Sequence, residues 1–116
     1  MRSVTGKAEF KERVRRWATK IDARVTSISV RSMKRKWASY STTGRLTFDV
    51  LLLELKEELQ DYVIAHELLH FHVPNHGKLW KSLMRIHFGE YEQLEHQLRQ
   101  AITKKNSGRR RTVNES

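Results

Sequence analysis

The sequence predicts an α+β fold in which a small sheet packs against several helices. Apolar residues recur at helical spacing before residue 22 and again after residue 57, and between residues 27 and 50 they alternate with polar ones. A turn of serine, threonine and glycine at residues 41–44 joins two of the alternating segments as a hairpin. Three short strands that include such a hairpin predict a mostly antiparallel sheet.

The first element is an amphipathic helix over residues 8–21. Its apolar side chains recur every three or four positions, with lysine, arginine and glutamate between them. This stripe is expected to be buried against the elements that follow, and it consists of Phe10, Val14, Trp17, Ala18 and Ile21.

Three strands follow, and each has one apolar face. Gly44 is expected to supply the positive φ that a tight hairpin turn requires. Residues 51–55 fit either the end of the third strand or a short helix. The strands are predicted at residues 27–31, 36–40 and 46–50, with Ile28, Val30, Leu46, Phe48 and Val50 at the alternating apolar positions.

Three further helices are predicted after the sheet, over residues 57–71, 78–88 and 90–103. Pro74 ends the first because the residue before a proline is pushed towards an extended conformation, and Gly89 ends the second. Beyond residue 104 the chain is polar and basic and has nothing to bury. We therefore predict a single domain over residues 1–104 and a disordered basic tail over residues 105–116.

The chemistry of the chain is indicated by the run His66-Glu67-Leu68-Leu69-His70. Two histidines four positions apart lie about 40° apart around a helix and about 6 Å apart along its axis, so both imidazoles can meet one cation. Zinc is the usual occupant of such a pair. A carboxylate between them, here Glu67, can take a proton from a water molecule at the metal, which is why the pattern marks zinc peptidases. The alternative is a helix that simply carries partly exposed polar residues.

A catalytic zinc usually takes three protein ligands and keeps one position for water. His76 is the predicted third ligand, because a turn at Pro74 would swing it back towards His66 and His70. The alternatives are carboxylates from the following helix, Glu90 and Glu92. The remaining histidines are not expected to be ligands: His72, His87 and His96.

The charge distribution suggests a second kind of partner. The chain has 23 lysines and arginines against 13 acidic residues, a formal net charge of +10, and the basic residues crowd its first third and its end. Such a field attracts polyanions through counterion release and electrostatic steering. Nucleic acid is therefore a candidate partner of the N-terminal region and the tail. A basic, solvated face without a specific partner would have the same composition.

Composition also excludes several classes of protein. The chain has no cysteine, so it has no disulfide, and any zinc must be held by histidine, aspartate or glutamate. Its first residues lead into charged rather than apolar ones, and no apolar run is long enough to span a membrane. A cytoplasmic protein without a membrane partner is expected.

Four segments together resemble the YgjP-like metallopeptidase domain, and are more distantly similar to the SprT-like and WLM-type domains. The resemblance covers residues 27–98, and its most specific element is Asn75-His76 with Trp80 four residues later. The segments are residues 30–39, Gly44 with Leu46 and Phe48, residues 61–70, and residues 74–80.

The resemblance implies a minimal zincin, in which the small sheet packs on the metal-bearing helix. It implies His66, His70 and His76 as the ligands of Zn²⁺ and Glu67 as the general base. The chain departs from the family pattern at positions that leave these four residues unchanged. Trp37-Ala38-Ser39-Tyr40 stands where Trp-Gly-Ser-Cys is usual, Gly77 where serine is common, and Asp49 where asparagine is frequent.

Two functions follow from these observations. The first is a zinc-dependent hydrolase, a metallopeptidase that acts on a protein or peptide substrate with Glu67 as general base. The second is a basic nucleic-acid-associated protein, either a DNA-linked protease like the SprT-like proteins or a non-catalytic binding module stabilised by its metal. The candidates for polarising a substrate carbonyl are Tyr40, Tyr62, Arg35 and His72.

Overall fold

The architecture is described by a computed structural model that covers residues 5–34, 36–73 and 75–114, with side chains as far as Thr103. Within these residues, four α-helices and three strands confirm the predicted α+β class. No described helix is both long and apolar enough to cross a membrane. In chain order the elements are α1 (Lys7–Ile21), β1 (Ser27–Arg31), β2 (Ala38–Tyr40), β3 (Arg45–Asp49), a 3₁₀ helix (Val50–Glu54), α2 (Glu57–Leu69), α3 (Lys78–Phe88) and α4 (Glu92–Asn114).

The sheet is mixed, with the strand order β1-β3-β2. β2 and β3 are antiparallel, as the predicted hairpin requires, and Tyr40 lies opposite Leu46. β1 runs parallel to β3, with Ile28 opposite Leu46 and Val30 opposite Phe48. The expected antiparallel pairing therefore holds for one of the two strand pairs. The difference arises because β3 takes the central position, and β2 is part of the connection that carries the chain across from β1 to β3.

The hairpin turn depends on Gly44. Its φ is +96°, and a Cβ atom at this position would lie 2.9 Å from the carbonyl oxygen of Arg24. The amide of Gly44 donates to the carbonyl of Ser41 at 2.9 Å, and its own carbonyl accepts from the amide of Thr26 at 2.8 Å. The turn therefore needs both a left-handed φ and a residue without a side chain, as predicted.

The core lies where α1 and α2 pack with the sheet. Leu46 and Phe48 of β3 are almost fully buried, and the rings of Phe10 and Phe48 meet edge-on with their centroids 5.0 Å apart. The ambiguous segment after β3 forms the 3₁₀ helix, which buries Leu52 and Leu53. The predicted stripe of α1 is buried at Phe10, Val14, Ala18 and Ile21.

Helix α4 runs from Glu92 to Asn114, past its predicted end at residue 103, and the other helix boundaries agree closely with the predicted ones except at the end of α2. This helix ends at Leu69, two residues before the predicted end, because the amides of His70 and Phe71 bond to carbonyls three residues back. Side chains after Thr103 lie outside the described residues. The division into a domain over residues 1–104 and a disordered tail over residues 105–116 therefore stays a prediction.

A polar cluster fixes α2 against α1. The guanidinium of Arg13 donates to Oε1 of Gln60 at 2.6 Å and to Oδ1 of Asp61, which also accepts from the indole N–H of Trp17 at 3.0 Å. Gln60 is fully buried, and its amide N–H groups donate to the backbone carbonyl of Leu55 at 3.0 Å, among others. These contacts matter for the site because α2 carries the His-Glu-x-x-His run.

We expect Asp61→Ala to lower the free energy of unfolding by about 2 kcal/mol. Removing one member of a buried ion pair typically costs roughly 3–5 kcal/mol. Asp61 keeps 29% of its side-chain surface exposed, so a smaller loss is expected. Urea unfolding followed by circular dichroism would measure it. Glu12→Ala, an exposed acid on α1, is the control, and equal stability of the two variants would contradict this account.

Candidate metal centre

Three imidazoles converge beside the end of α2. His66 lies in the last turn of this helix, His70 is its C-cap residue one turn later, and His76 follows in the connection to α3. Nε2 of His76 lies 3.0 Å from Nε2 of His66 and 3.0 Å from Nε2 of His70. Within the described residues, this is the only group of three or more histidine, aspartate or glutamate side chains close enough together to hold a metal ion.

The two separations from Nε2 of His76 are close to those around a tetrahedral divalent cation. Zn–N bonds of about 2.0–2.1 Å at tetrahedral angles place the nitrogens about 3.3 Å apart, a few tenths of an ångström more than the 3.0 Å separations found. Burial, together with the neighbouring imidazoles of His66 and His70, lowers the pKa of His76. A lowered pKa favours the neutral imidazole, which is the form that binds metals.

A short turn brings His76 to the other two rings. Its backbone is shaped by the side chain of Asn75, whose Oδ1 accepts from the amide of Gly77 at 3.0 Å. Gly77 then precedes α3 as its N-cap residue, and Trp80, one turn into α3, anchors the segment with only 2% of its surface exposed. The turn between α2 and α3 is thus held from both ends, which fixes the position of His76.

Glu67 lies beside the three imidazoles in a protected position. Only 9% of its surface is exposed, and its Oε2 lies 3.2 Å from Nδ1 of His66. A proton on Nδ1 of His66 leaves Nε2 of that ring free to bind a cation, and a carboxylate near Nδ1 stabilises this tautomer. Glu67 therefore contacts one of the three rings, at the nitrogen other than the one that faces His76.

Aromatic side chains cover the faces of all three imidazoles. Tyr40 stacks on His70 with centroids 5.4 Å apart and planes 6° apart, and Tyr62 stacks on His66 at 6.0 Å and 4°. Trp80 lies 4.6 Å from His76 at an angle of 47°. The two tyrosines had been candidates for polarising a substrate, but the structure places their rings against the histidines.

Two further residues near the site were not identified from the sequence. Tyr91 stacks on the other face of Tyr62, with centroids 6.4 Å apart. Glu95 accepts a long hydrogen bond of 3.4 Å from the hydroxyl of Tyr62, and burial together with this carboxylate raises the pKa of Tyr62. Tyr91 lies on the apolar stripe of the helix predicted over residues 90–103, but no local pattern in the sequence indicates that it packs on Tyr62.

The other histidines and the alternative carboxylate ligands lie outside this cluster. Nε2 of His72 is within hydrogen-bonding distance of the carbonyls of Ile21 and Asp22, at 3.1 and 2.8 Å, so it caps the end of α1. Glu92 pairs with Arg85 at 2.5 Å, and Glu90 is exposed. His87 packs on Trp17, His96 is exposed, and Arg35 lies outside the described residues.

The fold and the histidine cluster define a class of protein, the metallopeptidases, and similarity to known proteins identifies the family. Residues 3–101 match the YgjP-like metallopeptidase domain, so the chain belongs to that family. This confirms the resemblance seen in the sequence.

The chain is also similar to one uncharacterized protein and to two metallopeptidase zymogens of known structure. An uncharacterized protein of Methanocaldococcus jannaschii is 37% identical over 70 residues, which are 57% of this chain and 64% of that relative's length. The crystal structure of the metallopeptidase zymogen jannalysin of the same organism superposes with a TM-score of 0.72 and 29% identity, over 80% of this chain and 96% of that one. The metallopeptidase zymogen abylysin of Pyrococcus abyssi has the same fold at 19% identity, with a TM-score of 0.71, over 81% of this chain and 95% of that one.

We expect the purified chain to bind one divalent cation per molecule and His76→Ala to weaken that binding more than about 100-fold. Substitution of residues that only support the metal ligands typically lowers metal affinity about 10–100-fold, and removal of a ligand should lower it further. Competition with a chromophoric zinc chelator would measure the affinity.

His96→Ala is the matched control for His76→Ala, because His96 is an exposed histidine on α4, outside the metal cluster. Equal zinc affinity of these two variants would contradict the assignment of His76.

Proposed function

We propose that this chain is a zinc-dependent peptidase in which His66, His70 and His76 hold the ion and Glu67 is the general base. The observation that carries the proposal is that Nε2 of His76 lies 3.0 Å from Nε2 of both His66 and His70. The neighbouring carboxylate residue, Glu67, is only 9% exposed. Membership of a metallopeptidase family supports the same reaction class.

The donor set favours zinc over other common ions. Three imidazole nitrogens and no carboxylate or thiolate suit zinc better than magnesium or calcium, which prefer oxygen ligands. Three protein ligands are also the usual number at a catalytic zinc. When bound, zinc would acidify a water molecule and polarise the carbonyl of the peptide bond.

Glu67 carries the proton transfers in this proposal. One carboxylate oxygen accepts the proton of the attacking water, and the same group then donates it to the amine nitrogen of the departing product. The neighbouring Nδ1 of His66, 3.2 Å from Oε2, helps to orient the carboxylate. Burial protects the group from exchange with bulk water between the two transfers.

Within the described residues β2 is an edge strand, and its outer side offers a binding surface for the backbone of a substrate. Trp37 accepts a hydrogen bond from Asp49, and Ser41 donates one to Arg45, so alternate residues of this segment face β3. The backbone groups of Ala38 therefore point away from the sheet, as do those of Tyr40, which stacks on His70. An extended peptide that pairs with this edge would pass close to the metal centre.

The basic surface is a weaker indication of function. On the described part of the chain, exposed cationic side chains occur on α1 and β1 and between them, among them Arg15, Arg16, Lys20, Arg24 and Arg31. The predicted nucleic-acid partner and the cytoplasmic location stay predictions.

We expect Glu67→Gln to reduce peptide hydrolysis by at least about 100-fold while zinc binding remains. An amide cannot accept the proton, and general-base catalysis typically contributes about 10²–10⁴-fold. Cleavage of a peptide library, with zinc content measured on the same samples, would check both parts.

Glu58→Gln is the control for Glu67→Gln, since it makes the same change on the exposed side of α2. If Glu67→Gln hydrolysed peptides as fast as Glu58→Gln, the role given to Glu67 would be wrong.

We expect Ala38→Pro to raise KM for peptides about tenfold while the melting temperature changes little. Proline removes an amide N–H that points away from β3, and proline is tolerated on edge strands. Steady-state kinetics and thermal unfolding would separate the two effects. Ser39→Pro is the contrast, because the backbone of Ser39 faces β3 and its loss should lower stability. An unchanged KM in a folded Ala38→Pro variant would exclude pairing at this edge.

A further inference from the structure

The orientation of the three imidazoles needs a physical cause. A ligating histidine is usually held by a hydrogen bond from its second ring nitrogen to a carboxylate or carbonyl. Nδ1 of His70 is buried, and it has no hydrogen-bond partner among the described residues. Nδ1 of His66 faces Glu67, and this carboxylate would take up and release a proton in the proposed reaction. Hydrogen bonds therefore leave the ring of His70 without a second anchor, and the ring of His66 with one that the proposed reaction would disturb.

We propose that Tyr40, Tyr62 and Trp80 are positioning residues that orient the three imidazoles for metal binding by ring contact. The inference rests on the proposed function, since it concerns the same metal site. Each aromatic residue serves a different histidine and comes from a different element: Tyr40 of β2 contacts His70, Tyr62 of α2 contacts His66, and Trp80 of α3 contacts His76.

Stacking restricts the torsion about the Cβ–Cγ bond, which sets the direction in which Nε2 points. The angle about the Cβ–Cγ bond of a histidine is broad and weakly restrained by itself. The planes lie 6° apart for Tyr40 and His70 and 4° apart for Tyr62 and His66, so a turn of either imidazole would give up its stacked contact. In a closely packed environment the loss of that contact costs free energy, so the stacked orientation of the ring is favoured.

The positioning side chains are themselves held by neighbouring rings. Tyr62 is only 2% exposed and lies between His66 and Tyr91. Trp80 also meets His66 edge-on at 5.2 Å and Tyr91 edge-on at 5.7 Å. The aromatic residues thus form a connected group that spans the start of α4, the middle of α2 and the first turn of α3.

The ring rather than the hydroxyl carries this role. The hydroxyl of Tyr62 makes only a long hydrogen bond of 3.4 Å to Glu95, which is weak for an O–H donor. Phenylalanine should therefore replace tyrosine at these positions without loss of metal affinity. A residue whose hydroxyl polarised a substrate would behave differently, because phenylalanine would then abolish its effect on turnover.

Tyr40 is the position to test, because it is half-buried on an edge strand and a change there should not prevent folding. We expect Tyr40→Leu to weaken zinc binding about tenfold, at the lower end of the 10–100-fold range for residues behind metal ligands. Tyr40→Phe should stay within about twofold of wild type, since it keeps the ring. Competition with a chromophoric zinc chelator gives the affinities, and the visible absorption of the cobalt-loaded protein reports any change in ligand geometry.

Trp17→Leu is the matched control. Trp17 stacks on Phe88 at 5.4 Å and 22°, a contact like that of Tyr40 with His70, but it touches none of the three proposed ligands. We expect this variant to melt at a lower temperature and to bind zinc as wild type does. If Tyr40→Leu fails to fold, Tyr40→Thr, which suits an edge strand, takes its place.

Wild-type zinc affinity in a folded Tyr40→Leu variant would overturn the positioning role. The positioning role would also be overturned if Trp17→Leu or Tyr40→Phe lost as much zinc affinity as Tyr40→Leu. In all of these cases the proposed function would stand. A wild-type chain that binds no zinc would overturn the proposed function and this inference together.

Discussion

The position of His76 is the constraint on which the rest of the site depends. A helix brings His66 and His70 to one face without any help, because four residues make slightly more than one turn. Nothing local does the same for His76, whose Nε2 lies 3.0 Å from both. The turn at Asn75 and Gly77 and the burial of Trp80 in α3 together hold it there. A cation between the three nitrogens would join the α2 and α3 segments.

The remaining elements stabilise this arrangement from several sides. α1 holds α2 through Arg13, Trp17 and Asp61, and His72 ties the residues just after α2 to the end of α1. β2 contributes an edge strand of the described sheet, and Tyr91, just before α4, lies behind Tyr62. A domain of this size has room for only one core. The same aromatic side chains therefore belong to the core and lie against the metal centre, which explains why so few residues suffice to build a site.

Much of the fold was predictable, and the parts that were not share a cause. The boundaries of α1 and α3 followed from hydrophobic periodicity and from Gly89, and the hairpin followed from Gly44. The parallel pairing of β1 with β3 did not, because alternation shows which face of a strand is buried but not which neighbour it takes. The contact of Asp61 with Arg13 joins residues 48 positions apart, and no local pattern indicates it.

The sequence by itself determined the secondary structure and the type of chemistry. Both are written in short-range patterns: the 3.6-residue period, the glycines and the proline, and two histidines at i and i+4 around a glutamate. Only the tertiary structure decided that the ring of His76 meets the other two, and that Tyr40, Tyr62 and Trp80 lie against the imidazoles. Such contacts depend on how separate elements pack, because their free energy comes from residues that are distant in the chain and close only after folding.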